Sequence, residues 1–326
     1  MITSFYPTTG ANALAPAGAQ LAKVEPVSAD LFQRFINYID KKPTTVENYT
    51  RSLAQFYKWL RAEEVTQPTR DDLKAYRDYL LKTRAPGTVR VYMVAVRQFF
   101  KWAEAEGLYA NIFQNIELPK AEPGHKKDYL TKDRQATVYD HIDRDTKRGR
   151  RDYAIIRLLI QTGMRTIEAS RANVGDIREH NGQLVIYVHG KGRDDKKEYI
   201  EIKDKAKAAL ADYLKDRGIN LDDTTGHEDE PLFTSTSNNN AGQRITTRAF
   251  RGLIKDAFRA ADLDDARLTA HSLRHTAVNV AINAGMSITD VKQYARHRNI
   301  ATTMIYVEEA ARDRNKCADA IEAALA

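Results

Sequence analysis

Apolar residues recur at helical spacing along most of this chain, broken by short polar stretches. From Asp30 to about Gly107 the pattern is helical throughout. Thr44 with Glu47 three residues on predicts a capping box, after which Tyr49, Leu53, Phe56, Tyr57 and Leu60 form one apolar face. Pro68-Thr69-Arg70-Asp71-Asp72 opens a third helix through Leu80, and Val89, Tyr92, Val96, Phe99, Phe100 and Ala103 stripe a fourth. The expectation is a four-helix bundle whose aromatic stripes are core rather than base-stacking platforms.

The breaks divide the chain. Residues 1–24, rich in Ala, Gly, Pro and Thr, read as a poorly ordered tail. Two prolines, a glycine and a basic pair mark 118–128 as a linker between a helical domain at 25–117 and a second domain at 129–326. In the second domain a helix is expected from about Thr131, and an apolar helix from about Asp152 ends at Gly163, a natural stop. Leu184 to His189 reads as a strand, Gly190 to Asp195 as a turn and Glu198 to Ile202 as the returning strand. Helices follow near Lys203 to Arg217 and Thr246 to Ala261, with an exposed loop at Thr224 to Asn240 anchored by Pro231-Leu232-Phe233. The last run, Val307 to Ala326, carries Cys317, Ile321, Ala324 and Leu325 at helical spacing. The fold class is therefore mainly α, with a helical N-terminal domain and a mixed α/β domain built around a small antiparallel sheet.

Charge adds a mild basic bias. The chain holds 51 Lys and Arg against 44 Asp and Glu, and 18 of those bases and 14 of those acids fall before Tyr129. Both halves are thus slightly positive, as two parts closing on DNA would be. Cys317 is the only cysteine, and none of the eight histidines falls at a zinc-binding spacing, which argues against an intramolecular disulfide and a Cys-based metal cluster. No apolar run reaches the roughly 18 residues of a membrane span and no signal-peptide pattern opens the chain, so a cytoplasmic location without a membrane partner is expected.

The densest chemistry lies in His271 to Tyr306, HSLRHTAVNVAINAGMSITDVKQYARHRNIATTMIY. His271 and Arg274 are one helical turn apart, His297 lies 23 residues beyond Arg274, and Tyr306 nine beyond that. Two imidazoles, a guanidinium and a phenol suit attack on a phosphodiester. A tyrosine is a poor nucleophile at its usual pKa of about 10 without cations or a base, and an arginine fork fits phosphate while keeping its charge. Upstream, Gly163-Met164-Arg165-Thr166-Ile167-Glu168 offers another arginine at a helix junction, and Lys191 stands at the hairpin mouth. Singly each of these has a bland reading as a cap, an ion-pair partner, a solvated turn or a core aromatic; in this order and on these elements they read together as a site. His275 and His189 read as structural neighbours of that site.

These residues resemble the signature of the tyrosine recombinase (phage integrase) family: a Thr-Gly-Leu-Arg-x-x-Glu box, a hairpin lysine, a His-x-x-Arg box, a histidine and a tyrosine nine residues later. One departure is Arg296, where the family commonly has glycine before the histidine. The resemblance implies a SAM-like core-binding domain and a catalytic domain, in a simple two-domain layout similar to that of Xer- and Cre-type recombinases. It implies that Tyr306 attacks the scissile phosphate to give a 3′-phosphotyrosine and a free 5′ hydroxyl. Arg165 and Arg274 would bind the non-bridging oxygens, Lys191 protonate the leaving oxygen, His271 assist proton transfer, and His297 donate to the phosphate, without metal, ATP or other cofactor. On the helical domain Arg51, Lys58, Arg90, Arg97 and Lys101 lie off the apolar stripes and are candidate phosphate contacts.

The implied partners are a double-stranded recombination site, further copies of the chain in a tetramer that exchanges C-terminal helices, and an accessory or directionality protein. A self-packed final helix is the alternative. Among the tasks the layout fits, integration of a mobile element is favoured over dimer resolution and inversion. Competing readings are a type IB topoisomerase, a non-catalytic DNA-binding regulator on the same scaffold, and a metal-dependent transposase. The tail after Tyr306 and the N-terminal bundle argue against the first, the complete residue set against the second, and the lack of a recognisable acidic triad against the third.

Overall fold

A computed structural model describes residues 29–65, 67–120, 128–189, 198–313 and 315–325. The 1–24 tail, most of the 118–128 linker, and the 190–195 turn with Lys191 lie outside the described residues. The chain divides into two compact units, Met1–Pro123 and Gly124–Ala326.

The first unit holds α1 (Ala29–Tyr38), α2 (Pro43–Ala62), α3 (Arg70–Leu81) and α4 (Pro86–Ala105). The expected stripes are its core: Leu53, Phe56 and Leu60 of α2 and Val89, Val96, Phe99 and Phe100 of α4 are buried. Phe56 meets Tyr76 at 4.9 Å between ring centroids and Phe99 meets Trp102 at 5.9 Å. Each such pair is worth about 0.5–1.5 kcal/mol beyond its buried area. The start of α2 corrects the expected capping box. Pro43 takes the first helical turn, where its missing N–H is not needed, Lys42 is the cap residue, and Thr44 falls inside the helix. The box belongs instead to α3, where the Asp72 backbone N–H bonds the Thr69 hydroxyl and the Asp72 carboxylate takes the Thr69 N–H.

The second unit opens with α5 (Lys132–Asp140), α6 (Lys147–Thr162) and α7 (Thr166–Arg171). A 3₁₀ turn (Val174–Asp176) leads to β1 (Ile177–His180), β2 (Gln183–Val188) and β3 (Glu198–Glu201), an antiparallel sheet in that order. β1 adds a strand to the expected hairpin. Its local signal is the Asn181-Gly182 pair, whose positive φ values of 52° and 75° suit a two-residue hairpin turn. Ile186 pairs with Ile177 and Ile200 across the sheet and faces the core, while Tyr187 and Tyr199 lie on the other face.

Among the described residues six helices follow: α8 (Asp204–Lys215), α9 (Thr247–Ala260), α10 (Ala270–Asn283), α11 (Ile288–Ala295), α12 (Ile300–Asp313) and α13 (Cys317–Leu325). Helix α10 is central: Ser272 through Asn279 are all buried, and it packs against α6, α9, α11 and α12. On α13, Cys317, Ile321 and Leu325 are exposed. Among the described residues no helix is long and apolar enough to cross a membrane.

Candidate active site

Helix α6 stops at Gly163 because that residue adopts the left-handed conformation, φ 59°. A Cβ there would sit 3.4 Å from that of Ala277 on α10 and 3.6 Å from the Tyr294 ring on α11, so the turn is also a close approach. The next helix, α7, begins with Arg165 as its cap residue. Glu168, 5% exposed, accepts from the Arg165 backbone N–H at 2.8 Å and from its Nη1 at 2.7 Å. The Arg165 guanidinium is thereby fixed at the junction.

Arg274 arrives from α10 and is buried. Its Nη1 donates to the Gly163 carbonyl at 2.6 Å and its Nη2 to the Ala295 carbonyl. It therefore ties the end of α6 to the end of α11. Burial first, and then the like charges of Arg165 and Arg296, push its pKa down to about 10, so it stays charged at neutral pH.

Tyr306 lies on α12 and is buried, 1% exposed. Its ring stacks on His297, centroids 6.0 Å and planes 15° apart, and tilts against His275 at 5.3 Å. His297 follows the α11 turn, and its Nδ1 meets the Thr303 hydroxyl at 2.9 Å. Burial pushes the Tyr306 phenol above its ordinary range, while the Arg274 charge pulls the other way.

His271 stands on the first turn of α10 and is exposed, unlike its helix neighbour Arg274. It joins the cluster edge to face through His275, ring centroids 4.6 Å apart. The structure thus brings Arg165, Arg274, His297 and Tyr306 together between the α6–α7 junction, α10, the end of α11 and α12, with His271 at the rim. Lys191 lies outside the described residues. His189, at the end of β2, is half-buried.

Three further residues take part in the cluster. His275, expected only as a structural neighbour, bridges His271 and Tyr306 with its ring; its i, i+4 spacing from His271 is the local signal for that contact. Thr303, fully buried, orients His297. Arg296 adopts φ 53°, ψ 47° at the end of α11, the conformation a glycine would take without strain. Its Nη2 donates to Glu168 at 2.7 Å. Burial alone would raise the Glu168 pKa, but Arg296 and Arg165 outweigh it and hold the carboxyl below its usual range.

On the first unit Arg51 and Lys58 lie seven apart on α2, and Arg90, Arg97 and Lys101 share a face of α4. All five are exposed. None enters an ion pair among the described residues, whereas nearby Lys74 and Arg77 pair with Asp71 and Asp78.

Known proteins are similar to this chain in sequence and in fold. The profile of the phage integrase family matches residues 128–312, and that of the phage integrase N-terminal SAM-like domain matches 29–108. Tyrosine recombinase XerC of Oceanobacillus iheyensis is 27% identical over 83% of this chain and 89% of its own. TnP I resolvase of Bacillus thuringiensis is 25% identical over 85% of this chain and 94% of its own. The fold is also that of XerH site-specific recombinase in a post-cleavage complex with a palindromic difH substrate, with a TM-score of 0.68 at 19% identity over 85% of this chain and 80% of that one. The chain belongs to the phage integrase family, the tyrosine recombinases.

Proposed function

We propose that this site-specific DNA recombinase cuts and rejoins double-stranded DNA with Tyr306 as the nucleophile, forming a 3′-phosphotyrosine and releasing a 5′ hydroxyl. The observation that carries this reading is the convergence of Arg165, Arg274 and His297 with Tyr306 where α6, α7, α10, α11 and α12 meet. Arg165 and Arg274 neutralise the charge that develops on the phosphate's non-bridging oxygens, held there beforehand by Glu168 and by main-chain carbonyls. His297, whose Nδ1 meets the Thr303 hydroxyl at 2.9 Å, donates to the phosphate through Nε2. His271, exposed at the rim, exchanges the Tyr306 proton with solvent, and Lys191 protonates the leaving oxygen, an assignment resting on its place in the sequence.

Arg51, Lys58, Arg90, Arg97 and Lys101 contact phosphates, as their exposed positions, without an ion pair among the described residues, favour. The active assembly is a tetramer on two sites in the cytoplasm, formed by exchange of α13, whose apolar Ile321 and Leu325 stand exposed at 59% and 83%. Its task is integration and excision of a mobile element. An accessory or directionality protein joins it.

The experiment is covalent trapping with excess EDTA. The protein and its Tyr306→Phe variant are incubated with nicked duplexes tiled across the DNA flanking the gene, and run on denaturing gels. Adduct with the wild type only is expected. Adduct with the variant would sink the assignment of Tyr306, and binding without adduct would favour a regulator on the same scaffold.

A further inference from the structure

Arg296 occupies a backbone conformation that disfavours any residue with a Cβ, yet its side chain is nine-tenths buried. A glycine would relieve the turn, so the guanidinium must return something for its place. Its Nη2 donates to Glu168 Oε2 at 2.7 Å and its Nη1 to the Tyr294 carbonyl at 3.1 Å. Its own carbonyl accepts from Arg165 Nη2 at 3.3 Å. Glu168 in turn holds the Arg165 backbone N–H and Nη1. Arg165, Glu168 and Arg296 therefore close a ring of hydrogen bonds joining the start of α7 to the turn that precedes His297.

The third guanidinium nitrogen lies near a third element. Arg296 Nε is buried without a hydrogen-bond partner among the described residues, and Oε2 of Glu198, the first residue of β3, lies 3.9 Å from it. One planar fork thus faces carboxylates on α7 and β3 while its own backbone sets the α11 turn. A lysine offers a single point charge and could not serve these directions together. Electrostatically, Arg165, Arg274 and Arg296 surround the buried Glu168 and leave the centre positive.

We propose that Arg296 is a positioning residue for DNA cleavage, holding Arg165 through Glu168 and through its own carbonyl in register with His297. This rests on the recombinase reading, and its test separates the two. Arg296→Gly, Arg296→Lys, Glu168→Gln and the Arg296→Gly/Glu168→Gln double variant are compared with the wild type in thermal melting and in the rate of adduct formation on the nicked duplexes that trap the wild type.

Arg296→Gly is expected to melt within a few degrees of the wild type and to bind the same duplexes within about threefold, yet to form adduct about 30-fold more slowly, since small misplacement of a catalytic group costs on the order of a hundredfold. Free guanidinium at millimolar concentration should restore part of that rate in the glycine variant and not in Arg296→Lys, which leaves no vacant space. A glycine variant that forms adduct as fast as the wild type would overturn the proposal. So would strictly additive melting shifts in the double variant, which would mean that Arg296 and Glu168 are not coupled. Absence of adduct with the wild type would instead count against the recombinase reading, and the melting cycle would still decide on the ring.

Discussion

The rings of His297 and Tyr306 stack with centroids 6.0 Å apart and planes within 15°, although one follows the turn after α11 and the other lies inside α12. Thr303 connects them: it sits one turn before Tyr306 on α12, and its hydroxyl meets His297 Nδ1 at 2.9 Å. The candidate nucleophile and candidate phosphate donor are therefore both positioned by the first half of α12.

Replacing that hydroxyl should loosen the histidine without unseating the tyrosine. Thr303→Val keeps the shape and removes the bond to Nδ1, so adduct formation is expected to slow about tenfold, less than the roughly hundredfold typical of losing a transition-state donor outright. Thr303→Ser should recover most of the rate. Single-turnover trapping on nicked DNA measures both, and equal rates for wild type and Thr303→Val would remove Thr303 from the site.

Glu168 makes stability depend on pH in a stated direction. Its folded-state pKa is lowered, so its ion pairs contribute fully above the unfolded carboxyl pKa of about 4.3 and are lost as pH falls through the folded value. Glu168→Gln is expected to cost about 3 kcal/mol at neutral pH, as breaking a buried pair does. Urea unfolding at pH 7 and below pH 4 should show the gap between wild type and variant shrinking in acid; a gap constant with pH would mean that the carboxylate's charge is not what holds the ring.

Tyr76 offers the opposite sign in the N-terminal unit. Its hydroxyl is buried without a hydrogen-bond partner among the described residues, and burial raises its pKa. Its ring packs on Phe56 and Trp59 at 4.9 and 5.4 Å, and phenylalanine would keep that packing. Tyr76→Phe should therefore stabilise the unit by about 1 kcal/mol, the scale of an unsatisfied buried polar group. Denaturant midpoints read this directly, and a destabilised variant would reveal a partner for the hydroxyl.

The basic faces of α2 and α4 should show in the salt dependence of binding. Substituting Lys58, Arg97 and Lys101 together by alanine is expected to weaken DNA binding at every sequence tested. The slope of log affinity against log salt should fall by about 0.9 for each phosphate that the variant no longer neutralises. Fluorescence anisotropy across a salt series measures it. An unchanged slope would place these residues off the DNA.

The sequence by itself carried the amphipathic stripes of α2 and α4, the stop at Gly163 and the spacing from His271 to Tyr306, because helical periodicity, glycine's backbone freedom and residue order are local properties. It also carried the family, since the matched boxes are contiguous in the chain. Local rules failed at Thr44, where a proline one residue earlier took over the helix start, and at β1, whose four residues are too short to show alternation. Only the tertiary structure decided that His271 lies at the rim while Arg274 is buried, that His275 touches Tyr306, and that Arg296 reaches Glu168 across 128 positions of sequence. Those relations depend on how α6, α7, α10, α11 and α12 pack around one another, and the energy of a buried guanidinium is set by partners brought by packing rather than by its neighbours in the chain.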